Sequence, residues 1–306
     1  MSPCNGTFKK NHGHPVRGIE ERYQMIEAMR KDYPIRELCA VLEVTRSGYY
    51  AWRNGTETAR EVSNRLWIER IGRVYRQNKG RYGSPRVTQQ LRREGHACNR
   101  KRVERLMRQH GLRAVSSRKR RVCTTNSDHD QPIAPNLLLG RAAPTRTDEV
   151  WVADITYILS AEGWVFLAAV MDLYSRQILG WSVWESLHAG GAVQALQRAL
   201  VKRRPTKGLI HHSDRGVQYA CQSYRNALEA AGLVPSMSRK GNCYDNAAME
   251  AFWSTLKREA MAESQTWSKD RVRRTLFEYI EGSYNRSRLH SSLGYQSPVD
   301  FENQNP

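Results

Sequence analysis

The chain has 306 residues, 40% of them hydrophobic, with 8 Trp and 14 Tyr, and it carries 49 Lys and Arg against 30 Asp and Glu, a net charge of +19. That apolar and aromatic content excludes a disordered chain, the length allows two or three domains with at least one full core, and no run of about 18 apolar residues exists to span a bilayer. The charge is not spread evenly: residues 1–125 hold 29 Lys and Arg against 11 Asp and Glu, a net of +18, while residues 126–306 hold 20 against 19. A basic arm on a near-neutral body is the pattern of a nucleic-acid grip serving some other activity. The N-terminus lacks the apolar stretch of a signal peptide, so a cytoplasmic location is expected. The six cysteines are scattered without a C-x-x-C pair, which predicts free thiols.

Residues 1–60 are expected to form a helix-turn-helix region. IEERYQMIEAMRK places Ile19, Tyr23 and Ile26 at helical spacing, PIRELCAVL opens on a first-turn proline, and Thr45 caps a third helix, RSGYYAWR. Two short helices joined by a tight turn place the second in a DNA major groove, with Arg46 at its start as a candidate contact. The competing reading is a plain helical hairpin built on Tyr49 and Trp52. Residues 61–112 predict a second basic helical region: Trp67 and Ile71 share a stripe, Tyr82-Gly83-Ser84-Pro85 breaks the chain, Val87 and Leu91 mark a short helix, and Asn99 caps RKRVERLMRQHG. There Val103, Leu106 and Met107 face inward and Arg100, Lys101, Arg102, Arg105 and Arg108 face out, either as a solvated face or as a phosphate-gripping surface. Residues 113–147, with SSRKRR and Pro132, Pro135 and Pro144, read as a linker.

The body, residues 148–265, begins with three predicted strands, EVWVADITYIL, GWVFLAAVMDLY and RQILGWSVWES, whose short connections suggest an antiparallel meander. A helix (GGAVQALQRALVKR), a strand (GLIHHSD), a helix (YRNALEAAGL), a short strand near PSMSR and a final helix from about Asn246 follow. This β-β-β-α-β-α-β-α order is that of a ribonuclease H-like fold, a mixed five-stranded sheet with flanking helices. Residues 266–306 add a tail helix, with Val272, Leu276 and Ile280 inward, and a packing clasp at 290–295.

Three acids stand out. Asp154 interrupts an apolar strand, where a carboxylate needs a partner or a cation. Asp214 follows the fourth strand at its carboxyl end, and Glu250 lies 36 positions later on the last core helix, on one stripe with Asn246, Trp253 and Lys257. If the first and fourth strands are neighbours, the three converge. Carboxylates gathered in this way need positive charge, and oxygen ligands suit Mg²⁺, with Mn²⁺ as a substitute; two ions about 4 Å apart clamp a phosphodiester during in-line displacement. Asp172, which ends the second strand, is read as a structural partner of a nearby base, and at most one of His211 and His212 can face the site.

WVADITYI, HSDRGVQY and SMSRKGNCYDNAAMEAFWSTLKRE resemble the signature segments of orfB-type insertion-sequence transposases, which share a DDE integrase core with retroviral integrases. RSGYYAWR, YGSPRV, APNLL and YNRSRLHSSLGYQSPVDF extend the similarity over nearly the whole chain, with Ala143 and Ala247 as departures. The resemblance implies Asp154, Asp214 and Glu250 as catalytic, metal-holding acids, and Lys257 as a contact to the element end. Asn246 is read either as contacting the same DNA from the other side or as a helix-start residue bonded to backbone. It further implies binding to terminal inverted repeats of double-stranded DNA, 3′-end cleavage and strand transfer, a homo-oligomer on DNA, a nucleoid-associated location, and an upstream-frame protein or frameshift fusion as partner. The alternative reading is an inactive, sequence-specific DNA-binding regulator descended from such an enzyme.

Overall fold

The computed structural model describes residues 18–55, 57–115, 130–185, 189–239 and 246–305. The chain divides into two compact units, Met1–Arg73 and Val74–Pro306.

In the first unit, helices α1 (Ile19–Met29), α2 (Ile35–Val41) and α3 (Arg46–Arg53) surround a small core of Ile26, Leu38, Cys39 and Tyr49. The turn between α2 and α3 is sharp because Glu43 adopts φ 54°, and Thr45 then caps α3 by accepting from the Gly48 amide at 3.1 Å. Gly48 is required at that point: a Cβ there would lie 2.3 Å from the Tyr23 hydroxyl. Arg46, at the first position of α3, is exposed.

Helix α4 (Ala59–Gln77) runs across the division between the units. The second unit continues with α5 (Ser84–Arg93) and α6 (Arg100–Gln109). Asn99 caps α6, its side-chain oxygen accepting from Lys101 N at 2.8 Å. Val103, Leu106 and Met107 are buried, Arg100, Lys101 and Arg108 are exposed, and Arg102 and Arg105 are half-buried, so the expected segregation of apolar and cationic faces holds. The lead-in to α5 is fixed on the far end of the chain: Arg81 donates to the Glu259 carbonyl and to Ser283 Oγ, the Tyr82 hydroxyl meets Leu289 N and Ser287 O, and Arg86 donates to the Leu289 carbonyl.

Strands β1 (Val150–Ser160), β2 (Gly163–Asp172) and β3 (Ile178–Trp184) form the antiparallel meander. Helix α7 (Gly190–Arg203) leads to β4 (Ile210–Ser213), then come α8 (Val217–Ala220), α9 (Gln222–Ala230) and β5 (Val234–Met237), and α10 (Ala247–Ala260) closes the core. The sheet order is β3-β2-β1-β4-β5, with β1-β4 and β4-β5 parallel. This is the mixed five-stranded sheet with flanking helices that the element order predicts. Alternation along β1 sends Val150 and Val152 to the face covered by α10, and Trp151 and Ala153 to the face covered by α7 and α9. Helix α7 lies so close to β3 that a Cβ at Gly180 would sit 2.2 Å from the Ala195 carbonyl.

In the tail, α11 (Lys269–Phe277) does not simply continue as the single helix the sequence suggests. Its turns widen into a π-helix over Glu278–Tyr284, followed by α12 (Pro298–Gln304). One extra residue per turn shifts the inward face, so that Tyr279, Ile280 and Tyr284 are all buried. The clasp forms through a bridge between His290 and Gln296. Among the described residues no helix is long and apolar enough to cross a membrane, and Cys39, Cys98 and Cys221 are free thiols.

Candidate active site

The β1–β4 register pairs Val150 with Ile210, Trp151 with His211 and Val152 with His212. Continued at the same offset, it sets Asp154 opposite Asp214, just beyond the carboxyl end of β4, on strands about 5 Å apart. The two carboxylates feel each other's charge. Asp154 is half-buried, and its carboxyl is pushed up to about 7, first by burial, then by the charge of Asp214; hydrogen bonds from Trp253 and the Ile155 amide pull the other way, and the charge of Glu250 adds a further push.

The elements hold these groups by identifiable bonds. Trp253 Nε1 on α10 donates to Asp154 Oδ2 at 2.9 Å, and Ile155 N donates to Oδ1 at 2.8 Å. The Gly216 amide donates to Asp214 Oδ1 at 2.9 Å, which shapes the turn leaving β4. Glu250 lies one turn before Trp253 on α10. It is exposed, and the desolvation it does suffer lifts its carboxyl above the ordinary glutamate range. Lys257, one turn after Trp253 and also exposed, is near enough to Asp154 for that carboxylate to support its charge against desolvation.

Asp154 and Asp214 are therefore brought together, with Glu250 within electrostatic reach on the same side of the sheet. Among the described residues no three His, Cys, Asp or Glu side chains close around a single point. The donors present fit hard divalent cations: all are carboxylate oxygens, and a bound cation would offset both the burial and the neighbouring charge of Asp214 that lift Asp154.

Several expected residues sit differently. Asn246 turns inward: it is 7% exposed, and its amide donates to the Ala153 carbonyl at 3.1 Å, tying the start of α10 to β1. Asp172 is structural, and its charge supports that of nearby Arg176, but its hydrogen bonds come from the turn. It accepts from the amides of Asp148, Tyr174 and Ser175 and from the Ser175 hydroxyl, because a fully buried carboxylate at a strand end is satisfied most readily by the turn that follows it. His211 bonds the Tyr224 hydroxyl and His212 lies between Ser236 and Ser238, so both rings are engaged in packing.

Three residues escaped the sequence reading as parts of the site. Trp253 shares the Glu250 stripe, yet its role as donor to Asp154 needs the α10–β1 contact. Tyr157 and Tyr219 both have their hydroxyls raised by burial and by the charges of Asp154 and Asp214. The Tyr219 hydroxyl is buried and has no hydrogen-bond partner among the described residues. Spacing alone carries no signal for either tyrosine.

Residues 144–243 match the integrase core domain family, residues 231–298 match a second family described as an integrase core domain, and residues 61–121 match the HTH-like domain family. The last match begins at α4 and spans the second helical region. The insertion element IS600 uncharacterized 31 kDa protein of Shigella sonnei is 44% identical over 265 residues, 86% of this chain and 97% of that one. Transposase InsF for insertion sequence IS3A of Escherichia coli strain K12 is 39% identical over 286 residues, 93% of this chain and 99% of its own. Of solved structures, the catalytic core domain of BIV integrase aligns with 52% of this chain and 95% of its own at 14% identity and a TM-score of 0.39.

Proposed function

Because the chain belongs to the InsF-type transposases of IS3-family insertion sequences, with an integrase core and an HTH-like domain, we propose that it binds the terminal inverted repeats of its element and catalyses 3′-end cleavage and strand transfer. The observation that carries this reading is the pairing of Asp154 with Asp214 across parallel β1 and β4, backed by α10 through the Trp253–Asp154 hydrogen bond.

Asp154 and Asp214 would hold magnesium, or manganese in its place, and Glu250 would contribute the third carboxylate. When bound, the two ions supply the positive charge that activates an attacking oxygen and stabilises the leaving oxygen of a phosphodiester. The protein groups do the rest. Trp253 and the Ile155 amide fix the direction of the Asp154 oxygens, and the Gly216 amide fixes Asp214. Lys257 presents its ammonium to a phosphate of the element end. In the first displacement, water attacks the phosphorus at that end and the element's 3′ oxygen leaves as a hydroxyl. In the second, this hydroxyl attacks a target phosphorus and the target strand's own 3′ oxygen leaves. Neither step needs a covalent protein intermediate.

The exposed cations Arg100, Lys101 and Arg108, with Arg102 and Arg105 beside them on α6, and Arg46 on α3, grip the DNA backbone around the repeat. The active form is a homo-oligomer on paired ends in the nucleoid, working with or fused to an upstream-frame protein. The test is cleavage and joining of a DNA end in Mg²⁺ by the wild type and by Asp154→Ala, Asp214→Ala and Glu250→Ala. Lost chemistry with retained DNA binding is expected of each; unchanged joining by any one removes that residue from the site.

A further inference from the structure

At the start of β1, before Asp154 on the strand, a cavity of about 330 Å³ opens between residues 138–144, the first residue of β1, the turn after β2 and the tail. Val150 marks its floor, four residues before Asp154 and so about 13 Å away along the strand. We propose that this cavity binds one nucleotide unit, its phosphate held between Arg141 and Arg176 and its base against Tyr174 and Phe301.

The charge argument comes first. Arg141 and Arg176 both line the cavity, and no Asp or Glu is among the described residues lining it. Neither guanidinium has a hydrogen-bond or ion-pair partner among the described residues. The closest acid to Arg176 in sequence, Asp172, has its oxygens engaged by the amides of Asp148, Tyr174 and Ser175. Arg176 is also half-buried, and desolvation lowers its affinity for its proton, outweighing the opposing charges of Tyr284 and Asp172. A partly desolvated cation of this kind gains most from an anion whose oxygens match its fork of donors, and phosphate does so.

The shape argument is independent of charge. Tyr174 and Phe301 pack ring to ring at 5.1 Å and 60°, and with the apolar side chains of Leu138 and Val150 they give the cavity an aromatic and aliphatic wall suited to a flat base. The volume stands near the lower limit of small-ligand sites, which admits a single nucleotide and not two. The nucleotide comes either from solution or from an unpaired position at a DNA end; the second source rests on the transposase reading, whereas the cavity chemistry does not.

The experiment uses the full chain, with calorimetric titration of dAMP and, separately, of inorganic phosphate. Saturable dAMP binding at least about tenfold tighter than phosphate is expected, as is a loss of about tenfold in Arg176→Gln and in Arg141→Gln, since each removes a charge-assisted contact. Ala143→Phe, which puts a ring into the lining while keeping both cations, abolishes binding. Should that variant unfold, Arg141→Gln at an exposed side chain still gives the reading. Fluorescence anisotropy then separates the sources: preference for a duplex with a single-stranded extension over a blunt one, lost in Arg141→Gln, assigns the site to DNA, and dAMP binding without that preference assigns it to a free nucleotide. Absence of saturable dAMP binding, equal binding of phosphate alone, or wild-type affinity in both arginine variants would overturn the proposal. Because none of these measurements needs cleavage, a failure of transposition leaves them readable.

Discussion

Replacing Asp154 by Asn tests whether the core holds stored electrostatic cost. The Asp154 carboxyl is lifted from 3.8 to about 7. An acid with a raised folded-state value keeps its proton after the unfolded chain has released it, so stability falls as pH climbs from about 4 to about 7 and is level above that range. The full shift corresponds to about 4 kcal/mol. Half-burial and the titration of Asp214 alongside reduce the expected net effect to about 2 kcal/mol. Asparagine never ionises, so Asp154→Asn lacks this pH dependence. It also loses one acceptor, for Trp253 or for Ile155, but that cost is constant and cancels when two pH values are compared. Urea denaturation at pH 4.5 and pH 8 in a chelator is therefore expected to show the variant gaining about 2 kcal/mol on the wild type between the two. Added Mg²⁺ at pH 8 then stabilises the wild type and leaves the variant nearly unchanged. Parallel pH profiles for the two proteins would refute the claim that burial and the neighbouring Asp214 hold the Asp154 carboxyl above its ordinary range.

Further outcomes follow from other contacts. Trp253→Phe keeps the packing of α10 but removes the donor to Asp154, and strand transfer is expected to fall by about tenfold or more with DNA affinity unchanged, measured on a labelled DNA end. Lys257→Ala is expected to weaken DNA binding across sequences and to reduce the slope of log affinity against log salt by about 1, read by anisotropy over a salt series. Arg288→Met removes both charge-assisted bonds of the fork from buried Glu259, leaving it the Tyr279 hydroxyl and the more distant Arg258 and Arg86, and is expected to cost about 2–4 kcal/mol in denaturant unfolding. Gly180→Ala forces α7 off β3, and a drop in melting temperature of several degrees is expected in a thermal scan.

The core was readable because its elements follow local rules. Alternation in WVADITY announces β1 and flags Asp154 as out of place, and the Asn99 and Thr45 caps mark helix starts where the structure has them. Neighbouring β1 and β4 follow from the element order, so the approach of Asp154 to Asp214 was legible too. The Glu250 stripe correctly grouped Trp253 and Lys257, while Asn246 on the same stripe turned out to face β1, since helical spacing fixes a face but not what covers it. The π-helix over Glu278–Tyr284 and the role of Asp172 were not legible, because each depends on tertiary packing or on a specific turn. Nor was the bond set of Glu259, whose partners Arg288 and Tyr279 lie 29 and 20 residues away with no local pattern to link them.

That bond set has a practical consequence for dissecting the molecule. Glu259 closes the same helix that carries Glu250, and it is held by both nitrogens of the Arg288 fork and by the Tyr279 hydroxyl, while Arg81 takes the carbonyl of the same residue. Deletion mapping from either direction would thus misattribute function. A chain cut before Arg288, or one started after Arg86, strips counter-ions and donors from Glu259 and its carbonyl and loosens the helix that carries Glu250, so a loss seen in either truncation would mix the role of the deleted segment with damage to that helix.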